Sequence, residues 1–461
     1  MTRFFLPPYE TRARRFRTVR VLALLAAIGF PAAAPAGSDV PVVVPGRSLE
    51  PLLGRRIGDL RLLVWRDGAW HPIPFQIDPR VTLERPGRTT RLVHLFRAPG
   101  EPDPVPARAF APEDELIFMS ADTGAEPAAG EWPTGIRAGA LLRITGGGVA
   151  GLFALDDPPP PSSRRYVRYD EAQDRVDART YRLGFSRAAP LVFDSLHIRH
   201  AREEPGVSRP EASGAESSNL VDRVKVRVRG KILLAIPITR TEADFETSRD
   251  GTRVGPVRVV RGARVRLGMF LGWKSPEVEE EQIFYPDGFE FPIWFVKSGA
   301  MNRLATRLNV QAGPDWSAAA LGMRMRVEGG ARPADVNGRM EAGEERLSAE
   351  GATWNLLYGP EGAILSKLDA VSGPGGRPRS HVRIYYRDDR RQNDPPEREP
   401  GQVGAIGFEF PDLAELPPGE YHWAVRTQVM PRYREGDERA ALEAPPRVTV
   451  VPVEIPREPA R

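Results

Sequence analysis

Proline and glycine occur 47 and 44 times in this 461-residue chain. Together they are about a fifth of all residues. Pro breaks helix interiors, and both residues punctuate turns. A chain interrupted this often has room for short extended runs and little room for long helices. The runs between the breaks are β-type: Leu60 to Trp65, Trp70 to Ile77, Leu141 to Thr145, Leu191 to His197 and Val254 to Leu267. Further on come Phe289 to Val296, His381 to Tyr386, Ile406 to Phe410, Tyr421 to Val429 and Arg447 to Ile455. Many short strands separated by turn signals predict an all-β fold, an antiparallel β-sandwich or super-sandwich. In Val224-Lys-Val-Arg-Val-Arg229, apolar and basic residues alternate strictly, which predicts one buried and one wet face. Gly230-Lys231 then reads as a two-residue hairpin turn. A membrane barrel would need many alternating segments of about ten residues, and one good segment is present. Glu341 to Glu350 reads as a short helix.

The first 36 residues are built differently. Six Arg (Arg3, Arg12, Arg14, Arg15, Arg17, Arg20) precede the apolar run Val21 to Phe30, and Ala34-Pro35-Ala36 follows. That order is a secretory leader's. It predicts a mature start near Gly37 and an exported protein, periplasmic or extracellular. An uncleaved anchor is the alternative, because the basic region is long. The whole chain carries a formal charge of +4. Without the leader's six Arg and its Glu10 the charge is about −1, so no basic footprint for nucleic acid remains. Cys is 0, which excludes a lipoprotein anchor, a thiol nucleophile, Fe–S clusters and Cys-based zinc sites. No cofactor or metal is called for. No later stretch approaches the roughly 20 apolar residues of a membrane span. The Pro158–Pro161 run marks a linker over 158–163. It divides a small N-terminal β-domain, 37–157, from a larger β-sandwich domain, 164–461. Four long polar stretches read as mobile loops: Ala98 to Pro112, Asp156 to Ser163, Ala201 to Asn219 and Asp388 to Gln402.

Two phrases stand out. One is Trp70-His-Pro-Ile-Pro-Phe-Gln-Ile-Asp78, followed by Glu113-Asp-Glu-Leu-Ile-Phe-Met119 and Asp122-Thr-Gly124. The other is Gly255-Pro-Val-Arg-Val-Val260. Ile73, Phe75 and Ile77 alternate onto one sheet face and Gln76 onto the other. Asp78, Asp114, Glu115 and Asp122 offer the hard oxygens calcium requires, without the spacing of a calcium loop. Turn and cap chemistry explains such carboxylates equally well. Together the phrases resemble uncharacterised secreted β-rich proteins associated with the galactose-mutarotase-like super-sandwich of carbohydrate-active proteins. The resemblance implies a large antiparallel two-sheet fold with a sugar-facing groove. It carries no activity over, since neither phrase is a catalytic signature.

No G-x-S-x-G elbow, H-E-x-x-H or P-loop is present. His197 and His200 stand three apart on a strand-like run, which separates them onto opposite faces. His422 shares a strand face with Ala424, opposite Tyr421, Trp423 and Val425. Aromatic residues concentrate at Trp273, Tyr285, Phe289, Phe291, Trp294 and Phe295, beside the acidic run Glu277 to Glu281. Phe289, Phe291 and Ile293 should share a buried face and Trp294 the opposite one. Aromatic rings can stack on sugars, and core packing is the plainer explanation. The candidate ligand-binding residues are therefore Trp273, Tyr285, Trp294 and His422, with catalytic residues unknown. The acidic run should repel acidic polymers, which favours neutral or amino sugars. The leading expectation is an envelope-associated binding or accessory protein with a glycan or another envelope component as partner. The alternatives are a carbohydrate-active enzyme of lyase or epimerase type, using general acid–base chemistry, and a structural or assembly protein. Whether the chain is an enzyme stays open at this point, with the reading leaning toward a non-enzyme.

Overall fold

A computed structural model describes residues 39–453, apart from 85–90, 99, 187–188, 201–214, 233–235, 269–273, 300–304, 349, 375–381 and 444. The leader, Trp273, His381 and most of the Ala201 to Asn219 stretch lie outside the described residues. The all-β expectation holds: the described chain is a succession of antiparallel strands in several sheets. Among the described residues, no helix is long and apolar enough to cross a membrane.

The largest sheet has nine strands. At its centre, Val278–Tyr285, Gly288–Lys297, Gly419–Met430 and Gly362–Ser372 lie side by side. Two five-stranded sheets face it, one built from 167–216 and one from 221–410. A single apolar cluster joins all three. Alternation decides which side chains enter it. On Gly288–Lys297, Phe289 is buried and stacks on Phe291 (ring centroids 5.2 Å apart), and Phe295 stacks on Tyr421 (5.2 Å). From the facing sheet, Phe410 lies flat on Trp423 at 3.7 Å. These aromatics pack among many aliphatic side chains in the cluster that holds the layers together.

The N-terminal region contributes a five-stranded sheet, a three-stranded sheet and the two-stranded ribbon Arg80–Leu83 with Arg91–His94. The chain's last described strand, Val448–Pro452, returns to pair with Ile136–Ile144 in the first of these. Residues 37–461 form one contact-bound unit.

Several local expectations are corrected. Gly230-Lys231 is not a turn: the strand Val221–Ile232 runs through it and pairs with Ile236–Thr241, placing the reversal later. The alternating segment's basic face is wet only at its end: the Arg229 side chain reaches solvent, while those of Lys225 and Arg227 do not. Lys225 and Arg227 are 4% and 2% exposed, because residues of the 388–402 stretch cover them. Lys225 Nζ donates to Glu397 (2.8 Å), and Arg227 Nε donates to Asp394 (2.9 Å). That stretch is thus a structured cover rather than a mobile loop. The Ala98 to Pro112 stretch likewise buries Phe110. Residues 215–219 begin with a short strand, and Asn219 caps the Leu196 N–H. The short helix read at Glu341 to Glu350 is a 3₁₀ turn, Glu344–Leu347. An α-helix occurs instead at Asp437–Leu442.

Candidate functional site

One row of side chains crosses four adjacent strands on the outer face of the nine-stranded sheet. Glu279 sits opposite Trp294, Trp294 opposite His422, and His422 opposite Ser372. Directly opposed residues in a sheet are the closest cross-strand neighbours, so this register forces the four together. The Trp294 and His422 rings stack at 4.7 Å with only 13° between their planes. Arg91, from the N-terminal ribbon, lays its guanidinium over the Trp294 ring at 4.2 Å and pairs with Glu279. Leu83 and Glu420 complete the walls of a cleft of about 230 Å³. That is below the roughly 300–1,000 Å³ of sites for drug-sized ligands. Farther along the same face, Glu290 stands opposite Arg426 and Arg426 opposite Lys367.

The cleft's electrostatics follow from burial. Burial pushes the His422 imidazole below its ordinary value, and the Arg91 charge adds to the effect. His422 is therefore a neutral base near pH 7. Its Nε2 is buried and has no hydrogen-bond partner among the described residues, an unusual state for a buried polar atom. Burial also raises Glu290, with the neighbouring Asp369 adding and Arg426 opposing.

Of the four predicted residues, the structure brings Trp294 and His422 together in the cleft. Trp273 lies outside the described residues. Tyr285 belongs elsewhere: its hydroxyl accepts from Arg258 Nη1 (3.3 Å) in a buried seam. Arg91, Glu279 and Ser372 were missed. Glu279 was hidden in the acidic run, and nothing local marks Arg91 as a neighbour of a residue two hundred positions away. The run itself is no negative patch, which removes the basis for excluding acidic polymers. Alternation splits it between faces, and basic partners take up its charges. Glu277 pairs with Arg266, Glu279 with Arg91 and Glu281 with His94 (3.0 Å). Glu280 points into the apolar interior.

The two recognisable phrases meet in that seam. Gln76 Oε1 accepts from the Val257 and Arg258 backbone N–H groups (3.0 and 2.8 Å), while its Nε2 donates to Asp78 (2.7 Å). Asp78 accepts from Arg253 Nε (2.9 Å) and Arg258 Nε (2.7 Å). Arg258 also donates to Glu115 (2.6 Å) and lies 2.8 Å from His94 Nε2. The carboxylates weighed for calcium are thus engaged by protein donors, Asp78 and Glu115 sharing Arg258. Asp114 caps the Ala111 and Arg80 N–H groups, and Asp122 accepts from the Tyr166 hydroxyl (2.7 Å). Among the described residues, no three His, Asp or Glu converge as metal ligands. The seam fixes the ribbon that carries Arg91, because His94 at the ribbon's end is bonded to Glu281 by both its backbone N–H and its ring.

No protein-family model matches the chain, and no curated protein does. Among solved structures it is similar to an alpha-mannosidase from Enterococcus faecalis V583, at 9% identity and a TM-score of 0.43, over 90% of this chain and 44% of that one. A Glycosyl Hydrolase Family 38 protein from Enterococcus faecalis gives 8% identity and a TM-score of 0.42, over 90% and 46%. An alpha-N-acetylgalactosaminidase from Bifidobacterium bifidum gives 11% and 0.33, over 56% and 36%. The chain spans less than half the length of each.

Proposed function

We propose that this is an exported, envelope-associated carbohydrate-binding protein whose cleft at Trp294 and His422 holds one unit of a glycan. The observation that carries this is the row Glu279, Trp294, His422 and Ser372 with Arg91 above it. Carboxylate, imidazole, hydroxyl and guanidinium groups offer polar partners for ring hydroxyls, and Leu83 and Phe295 supply the apolar wall beside them. The cleft's size suits a single sugar unit rather than a long segment. Because Arg91 and Glu279 offset each other, neutral and acidic glycans are both candidates.

The test is retention on immobilised neutral, amino and acidic polysaccharides, with Trp294→Ala, Arg91→Gln and wild type side by side. The expected result is saturable binding of at least one class by the wild type, weakened about tenfold or more in each variant. Equal binding by Trp294→Ala would remove the cleft from consideration, and no binding at all would favour a structural role.

One observation supports an enzymatic second reading. A neutral His422 in the cleft wall is the residue to which a general-base role would fall, acting once its buried Nε2 is uncovered to a bound glycan. Under that reading His422→Gln retains glycan binding and abolishes turnover of the bound glycan. Under the binding reading the wild type shows no turnover to lose.

A further inference from the structure

Where the nine-stranded sheet meets both five-stranded sheets, the layers do not close. A cavity of about 170 Å³ remains, with Phe193, Phe245, Phe291, Trp316 and Phe408 among its walls. Protein interiors are ordinarily packed with few voids larger than a water molecule. The strand Ala305–Trp316 explains the gap: its neighbouring inward positions carry Ala312 and Pro314, too short to reach the aromatic rings opposite. An apolar cavity of about 150 Å³ stays dry and accepts a benzene-sized molecule.

Polar side chains interrupt the apolar wall at Glu280, Asn355, Ser366 and Thr427. Glu280 reaches it from the strand Val278–Tyr285, and its Oε1 accepts from Gln282 Nε2 (2.7 Å). The Ser366 and Thr427 hydroxyls lie 3.1 Å apart and bond each other, which leaves Glu280 as the ionisable group of the wall. Burial pushes the Glu280 carboxyl up to about 7, so near neutrality it is readily protonated and tolerates an uncharged ligand.

We propose that this cavity binds a small uncharged amphiphile, a benzene-sized ring or a chain of about six carbons carrying one hydroxyl or carbonyl oxygen. The apolar body fills the space between the Phe rings, and the oxygen accepts from the protonated Glu280 carboxyl. This site is independent of the Trp294 cleft, which lies on the opposite face of the nine-stranded sheet.

Calorimetric titration of the full protein with n-hexanol, phenol and hexanoate tests it. Hexanol or phenol should bind saturably at one site. Hexanoate should bind more weakly, and increasingly so as pH rises through 7 and Glu280 ionises. Ala312→Leu and Val226→Phe both place bulk in the cavity. Each should weaken hexanol binding at least tenfold while leaving the thermal midpoint unchanged or higher, as expected when a void is filled. Glu280→Gln should keep hexanol binding and lose the pH dependence for hexanoate. Trp294→Ala should bind hexanol normally. Absence of saturable binding by the wild type overturns the proposal, as does unchanged binding by a folded cavity-filling variant.

Discussion

Asp78 is 0% exposed and faces two arginines, Arg253 and Arg258. Burial alone would raise its carboxyl, but the two guanidinium charges outweigh burial and hold it low. Asp78→Ala removes the buried counterion that Arg253 and Arg258 share, leaving them only the more exposed Asp103 and Glu115, and breaking a buried charge cluster in this manner costs about 3–5 kcal/mol. Urea unfolding of the variant should show a loss in that range. The same residues set an acid limit. Glu115 is held low by Arg258 and His94, and Glu281 is brought down to about 2 by His94 and Arg80. Carboxyls with depressed native values contribute stability that is complete above their unfolded values, near pH 4–4.5, and is lost as pH falls toward the native ones. The urea midpoint should therefore drop steeply between about pH 5 and pH 2. Glu281→Gln should start lower and fall less. At this scale the sequence showed Gln76 and Asp78 as polar residues in an apolar strand. Their partners are about 180 positions away, beyond any local pattern.

Strands were legible because alternation is a local signal. Phe289, Phe291 and Trp294 took the faces their parity predicts. Gly230-Lys231 misled, since a glycine within a strand and one in a turn look alike without the partner strand's register. The polar stretches misled for the opposite reason. Asp394 and Glu397 read as solvated, yet they serve as counterions for Lys225 and Arg227. Gly255 shows how an element is locked in place. A Cβ there would lie 2.1 Å from Gln76 Oε1, and that amide cannot shift without releasing two backbone N–H groups. Gly255→Ala should destabilise by about 2–4 kcal/mol, combining overpacking with lost buried hydrogen bonds. Thermal unfolding checks this: a loss below about 0.5 kcal/mol would mean the seam is soft.

For the whole molecule, the N-terminal region meets the main sheet along the seam of Gln76 and Asp78 and through the ribbon that ends at His94. Arg91 and His94 descend from it onto Glu279 and Glu281, so the cleft exists only where the two regions meet. The division at 158–163 is best taken as a proposed boundary in the chain. The return of Val448–Pro452 to the N-terminal sheet ties the end of the chain to its beginning, a non-local pairing that composition could not reveal. Half of the candidate site, Trp294 and His422, was legible as aromatic and imidazole chemistry on wet strand faces. The other half, Arg91 and Glu279, depended on this long-range assembly.

The central claim is that a glycan unit occupies the cleft where the ribbon covers the sheet. Hydrogen–deuterium exchange, with and without the best-retained oligosaccharide, tests it most directly. Binding should slow exchange in residues 91–94, 288–297 and 419–430 together, and Arg91→Gln should abolish that protection. Saturable binding that leaves all three segments unprotected would contradict it.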